Sequence, residues 1–279
     1  MFRHGSTPLS VLALLPVGLL FLIAAPTAGR GLQVENKAAP ATASNSEPSP
    51  VLVELFTSEG CSSCPPADVM IQKLDDFQPI PGAQLIVLSE HVTYWDHDGW
   101  KDPNSSPALT DRQSAYEGVL GEKSPFTPQI IVGGTQEIRI DDTQQQMVDV
   151  FQKAKATPKI PVRIGEVATD GGNPTVLRAH IETGDSFDNH NAEVYVAVAL
   201  DRVESQVLRG ENGGKHLVHV AVVQEITRIG KLPKGKNFAQ DMQLKLKPGT
   251  DPKNVRLIAF VQESGPGKVL GAALRKPAN

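Results

Sequence analysis

The chain has 279 residues, 40% of them hydrophobic and 21% charged, with a formal net charge of −4. That is the make-up of an ordinary soluble protein with room for two domains of about 110–150 residues. No Lys/Arg run accompanies the negative balance, which excludes the usual basic footprint for nucleic acid and leaves proteins or small molecules as partners.

Residues 1–31 read as a secretory signal: Arg3 and His4 make a short basic start, 9–25 an apolar run, and Thr27, Ala28 and Gly29 a stretch of small residues for cleavage. The run contains Pro16 and Gly18 and is short for a spanning helix, so a permanent anchor is the lesser alternative. Export to a periplasmic or extracellular location is expected, with no stable membrane span after cleavage. Residues 32–50 are rich in Ala, Pro, Ser, Thr and Asn and are expected to form a disordered linker.

Residues 51–56 form an apolar run with Glu54 embedded, expected as a strand. The turn 57–60 then delivers Cys61-Ser62-Ser63-Cys64, the only cysteines of the chain, onto a helical pattern opened by Pro65 and Pro66. A thiol at a helix N-terminus is stabilised as thiolate, the species that attacks disulfides. A static disulfide is the plainer reading, but so short a loop gains about 2 kcal/mol against about 4.7 for a loop of about 100 residues. An exported chain could use many disulfides and this one holds a single close pair, which favours redox chemistry; a structural bridge and a pair of metal ligands remain as alternatives. In the redox reading Cys61 attacks and Cys64, shielded in the helix, resolves the mixed disulfide.

Ala67, Met70, Leu74 and Phe77 recur at helical spacing until Pro79 and Pro81-Gly82 stop the helix, and 84–89 reads as a second buried strand. The stretch 91–103 carries His91, Tyr94, Trp95, Asp96, His97, Asp98 and Trp100. It follows the carboxyl end of a strand, where ligands of α/β sheets bind, so His91, Trp95 and Trp100 are candidate substrate contacts walling the redox pair. An aromatic plug over the sheet edge is the alternative, and a metal set of His91, His97 and an aspartate is a third with no specific spacing behind it. Residues 104–119 have helical character with Leu109, Gln113 and Tyr116 on one side. Thr127-Pro128 leads into a strand at 129–132, Gly133-Gly134 turns the chain into 137–140, and 143–156 closes the run as an amphipathic helix.

This order, with C-x-x-C at the first helix and a proline before the hairpin, resembles the thioredoxin fold over residues 51–158. The resemblance implies that Pro128 is cis and, with Thr127, holds an extended substrate segment beside the cysteines. It also implies that Glu54 is a buried acid accepting the proton of Cys64; a carboxylate facing water is the alternative. The strings ELFTSEGCSSCPPAD, HVTYWDHDGWKDP, FTPQIIVGG and RGENGGK resemble, across nearly the whole mature chain, a family of exported thioredoxin-like proteins catalogued as a domain of unknown function.

From 159 the pattern changes to short alternating strands, expected at 162–167, 175–182, 192–200, 205–209, 217–226, 242–246, 255–262 and 268–274, the signature of a β-sandwich. Val194, Val196, Val198 and Leu200 share one face of their strand and Glu193, Tyr195, Ala197 and Ala199 the other, with one face expected for the core. His180, His190, His216 and His219 read as strand or turn residues, and 210–215 as a glycine-rich turn in which Glu211 and Lys215 could touch a partner. With no nucleophile–base set or phosphate loop, this half reads as a docking or dimerising module.

The expected fold class is thus an α/β thioredoxin-like domain (51–158) followed by an all-β sandwich-like domain (159–279). The expected activity is thiol–disulfide exchange with protein or small-molecule thiols and disulfides, its direction unresolved and no cofactor implied. A noncatalytic thioredoxin-like binding protein is the alternative. So is a metal-handling module, although the chain has just four Met and no Met/His cluster.

Overall fold

The computed structural model of the protein describes residues 47–170, 173–187 and 191–277; the expected signal segment, most of the linker and His190 lie outside the described residues. The apolar run with Glu54 forms strand β1 (Ser49–Thr57), so Ser49 and Pro50 belong to the sheet rather than the linker. Helix α1 (Pro65–Phe77) follows, with prolines in its first turn, where the N–H groups have no internal acceptor. It ends on a left-handed Gln78 whose backbone N–H donates to Leu74 O. Strand β2 (Ala83–His91) then lies parallel to β1, pairing Val53 with Val87.

Helix α2 (Pro107–Leu120) precedes the hairpin of β3 (Gln129–Val132) and β4 (Gln136–Ile138). Helix α3 (Gln144–Ala156) opens with a capping box in which Thr143 and Gln146 satisfy each other's backbone N–H groups. Apart from a 3-10 turn at Pro252–Asn254, the remaining elements are strands: β5 (Val162–Ile164), β6 (Ala168–Asp170), β7 (Asn173–Thr183), β8 (Ala192–Gln206), β9 (His216–Leu232), β10 (Phe238–Lys245), β11 (Val255–Glu263) and β12 (Val269–Arg275). The stretch expected as a separate strand at 205–209 is in part the end of β8, and the expected 162–167 strand stops at Ile164.

The expectation of a separate β-sandwich is not met. One eight-stranded sheet runs β12-β11-β8-β9-β2-β1-β3-β4, crossing from one half of the sequence to the other where Ser89 of β2 meets Val222 of β9. A second, four-stranded sheet pairs β10, β7 and β5, with β6 also on β7. The described residues form one compact unit, a mixed α/β fold. The physical reason lies in β8, which is buried on both faces: Val194, Val196 and Val198 meet Leu177 and Ile181 of the smaller sheet, while Ala197 and Ala199 share a core with Leu52, Ile86 and Leu109. A strand covered on one side by its own half and on the other by the preceding half cannot belong to an independent sandwich. Val51, Val53 and Leu55 of β1 face α1 and α3 through Ala67, Ile71 and Phe151, and each fully buried side chain of this kind contributes about 1.5–3 kcal/mol.

Candidate functional site

Strand β1 and helix α1 are joined by the turn that carries the cysteines. Cys61 N–H donates to Ser58 O at 3.2 Å, and Cys64, the residue that caps α1, accepts from the N–H groups of Ala67 and Asp68 at 2.9 and 3.1 Å. Cys61 and Cys64 are joined as a disulfide with 5.4 Å between their Cα atoms. Ser62 and Ser63 are exposed, whereas both cysteines have a fractional exposure of 0%. Cys61 Sγ lies 3.4 Å from Ser63 Oγ.

Two elements cover the turn. From the segment after β2, Trp95 packs on Gly60, where a Cβ would stand 3.0 Å from Trp95 Cβ. From the β8–β9 connection, the buried Asn212 donates through Nδ2 to Glu59 O at 2.8 Å and Cys61 O at 2.9 Å, and Glu211 Oε2 accepts from Ser62 N–H at 3.2 Å. The Thr127–Pro128 peptide bond is cis and enters β3, whose Gln129 pairs with Phe56 near the end of β1. Trp95 Nε1–H donates to Thr127 Oγ1 at 2.7 Å, tying the aromatic segment to the proline loop. Cys61, Cys64, Trp95, Thr127 and Pro128 thus gather at one end of the sheet.

Trp100 and His91 lie in a second layer. Trp100 Nε1–H donates to Glu59 Oε2 at 2.8 Å, and His91 Nδ1 is 2.6 Å from Asp102 Oδ2. Burial alone would depress the imidazole, yet the charge and hydrogen bond of Asp102 outweigh it and raise His91 above the ordinary histidine value. Burial pushes Asp102 the other way too, but His91 and the N–H groups of Glu59 and Asn104 hold its carboxyl below the usual range. Glu59 is raised, first by burial and then by the negative charge of Asp102. Also buried here are Asp68, which accepts from Thr57 Oγ1 at 3.2 Å, and His219 of β9, whose Nδ1 is 3.4 Å from Asp68 Oδ1 and whose ring meets that of His91 edge-on at 4.8 Å.

Glu54 is buried but is not brought to the cysteines. It shares a sheet face with Leu52 and Phe56, opposite α1, and Oε1 accepts from Arg112 Nε at 2.7 Å while Oε2 accepts from Tyr116 at 2.6 Å. Glu90 stands 3.6 Å from the same guanidinium, and burial followed by the charge of Glu54 raises its carboxyl well above the ordinary value. His91 and His97 are not brought together either: His91 is wholly buried, while His97 is 75% exposed beside Asp98. Among the described residues no group of three or more His, Cys, Asp or Glu is arranged to hold a metal ion.

Sequence reasoning missed Glu59, Asp68, Asp102, Asn212 and the inward His219. For Asp68 a signal existed, since it sits four residues after Cys64 and therefore on the same helix face one turn along. His219 gave none: left-handed Ala221 (φ 51°) interrupts the alternation of β9, so that Val220 and Ala221 both join the α1 side of the core.

Residues 52–262 match the model of a family described as a protein of unknown function, DUF1223. No curated protein matches the chain. Among solved structures, a crystal structure of a protein from Agrobacterium tumefaciens is 26% identical, covers 82% of this chain and 94% of its own, and superposes with a TM-score of 0.62. A domain of the outer membrane lipoprotein Omp28 from Porphyromonas gingivalis is 14% identical over 43% of this chain and 95% of its own, with a TM-score of 0.27. The sporulation control protein Spo0M from Bacillus subtilis is 8% identical over 43% of this chain and 47% of its own, with a TM-score of 0.29.

Proposed function

Because the chain belongs to the DUF1223 family, whose description assigns no activity, we propose a function from the site itself: the Cys61–Cys64 pair exchanges disulfides with the thiols of a protein or small-molecule partner. The observation that carries this reading is a closed C-x-x-C whose second cysteine caps a helix, beside the cis Thr127–Pro128 loop. The order β1, α1, β2, then β3, β4 and α3 supports treating this part as thioredoxin-like. Cys61 is the attacking member, its thiolate favoured by the N-terminus of α1, and Cys64 resolves the mixed disulfide. Thr127, Pro128 and Trp95 border the partner's approach, with Trp100 and His91 supporting them from behind. An oxidised pair also supports export, since disulfides persist outside the reducing cytosol. Among the described residues no helix is long and apolar enough to cross a membrane.

Both sulfurs lie beneath the surface, so exchange requires Trp95 or the 210–215 turn to part from them. The same burial favours a second reading, a noncatalytic binding protein in which the bridge is static. Trapping separates the two. Cys64→Ser should accumulate partners joined covalently to Cys61, and the wild type should reduce insulin or glutathione disulfide when supplied with a dithiol. Cys61→Ser should do neither; equal turnover by wild type and Cys61→Ser would remove the exchange reading and leave the static one.

A further inference from the structure

Behind the C-x-x-C turn, Glu59, Asp68, His91, Asp102 and His219 are all buried. They come from different elements: Glu59 from the β1–α1 turn, Asp68 from α1, His91 from the end of β2, Asp102 from the segment that follows, and His219 from β9. A purely structural cluster would satisfy its polar atoms. Here both ring nitrogens of His219 and Nε2 of His91 are buried with no hydrogen-bond partner, in a region where Asp102, Glu59 and Asp68 have theirs. Such orphaned atoms in a native interior call for a functional account.

Their placement supplies one. Asp68 follows Cys64 by one helical turn, with its N–H on Cys64 O at 3.1 Å, so the two side chains share a face of α1. His219 approaches Asp68 to 3.4 Å through Nδ1, and Nε2 is 3.9 Å from Glu59 Oε1. Glu54, by contrast, is engaged by Arg112 and Tyr116 on the far face of the sheet.

Building on the exchange reading, we propose that Asp68 and His219 form the proton-handling pair for Cys64. A partner thiolate attacks Cys61 Sγ, a new sulfur–sulfur bond forms between them, and the Cys61–Cys64 bond breaks with its electron pair on Cys64 Sγ. Asp68 and His219 between them then deliver a proton to that sulfur. A second thiolate of the partner dithiol then attacks its own sulfur in the mixed disulfide, and the electron pair leaves on Cys61. Two electrons pass from the dithiol to the cysteine pair, and in the opposite direction Cys64 returns its proton before attacking. His91 and Asp102 pack behind His219 as an ion pair, with Glu59 between the two layers. From the 210–215 turn Glu211 faces Ser62 and Lys215 holds Asn212 Oδ1 at 2.8 Å, so both charges stay on the outer side of the turn.

The test follows reduction of the full oxidised chain by dithiothreitol from pH 5.5 to 8.5. Asp68→Asn and His219→Gln should slow reduction at pH 6 by on the order of 10²-fold, the deficit shrinking toward pH 8.5 as a thiolate leaving group no longer needs the proton. Because either variant can be lost to misfolding, the wild type supplies a second readout: the ring ¹⁵N shifts of His219 should change between the oxidised and reduced forms at one pH. Variants with pH–rate profiles parallel to wild type, or His219 shifts indifferent to the redox state, overturn the pair while leaving exchange intact. A wild-type bridge that dithiothreitol cannot reduce in the folded protein overturns the exchange reading itself.

Discussion

A guanidinium is set between two buried carboxylates, Glu54 and Glu90. Arg112 donates to Glu54 and stands 3.6 Å from Glu90, with the rings of Tyr116 and Phe260 each 5.4 Å from its centre. Glu54 holds the guanidinium directly, while burial, then the charge of Glu54, raise the Glu90 carboxyl well above its ordinary value. Replacing Glu90 by Gln keeps the shape and the uncharged form that the raised carboxyl favours, and should cost under about 1 kcal/mol. Glu54→Gln should cost about 1.5–3 kcal/mol, limited because Glu90 can lose its proton and take over the guanidinium. The double variant leaves a buried cation without a counter-ion and should cost about 3–5 kcal/mol, more than the sum of the two smaller losses. Urea unfolding of the three variants checks this, and simple additivity would refute the substitution of one acid for the other. The burial of Glu54 was expected only through the resemblance to the thioredoxin fold, against a carboxylate facing water, and its partner lies 58 residues on in α2, where no spacing rule links a strand to a helix that far along.

At the level of elements, the glycine-rich turn between β8 and β9 was legible as a turn, since Gly210 and Gly214 take positive φ of 78° and 84°. Its work was not legible, because Asn212 reaches back 151 residues to the carbonyl of Cys61. The turn thereby acts as a brace on the C-x-x-C, and Asn212→Ala should loosen it. The two lost hydrogen bonds are worth about 1 kcal/mol each, enough to raise the open population roughly 5–30-fold. In the reduced protein, alkylation of Cys61 by iodoacetamide should accelerate within that range while the pairing of β8 with β9 persists. An unchanged alkylation rate would show that the brace does not govern access. The boundaries of α1 and β3 were legible to within a residue or so because prolines and a cysteine turn punctuate them, whereas β8 ran past its expected end because nothing in its polar second half interrupts pairing with β9.

Across the whole molecule, local periodicity exposed the change from helical to strand-rich sequence near residue 159 but not the single sheet that unites the two halves, since the Ser89–Val222 join depends on tertiary burial rather than pattern. The same union buries ionisable groups whose balance sets how stability varies with pH. Glu59, Glu90 and His91 all have folded-state values above their ordinary ones, so at these sites the folded chain holds more protons across neutral pH than the unfolded chain; Lys159, lowered by burial to about 8, works the other way only at the top of that range. Stability from a raised group is fully present below its unfolded value and is lost as pH climbs through the folded one. The two glutamates begin this loss above their ordinary value of 4.5 and His91 above 6.5. Asp102 acts oppositely, contributing above its ordinary value of 3.8 and losing that contribution as pH falls through its lowered one, outside the neutral window. Unfolding free energy should therefore fall from pH 5 to pH 8, at about 1.4 kcal/mol per pH unit for each full extra proton retained. His91→Gln should be less stable than wild type at pH 5.5, where the ion pair with Asp102 is intact, and should show a flatter decline above pH 6.5. Urea midpoints at pH 5, 6.5 and 8 for both proteins decide it: a wild-type stability that rises across this interval would mean that the buried acids and His91 are not holding their protons in the folded state.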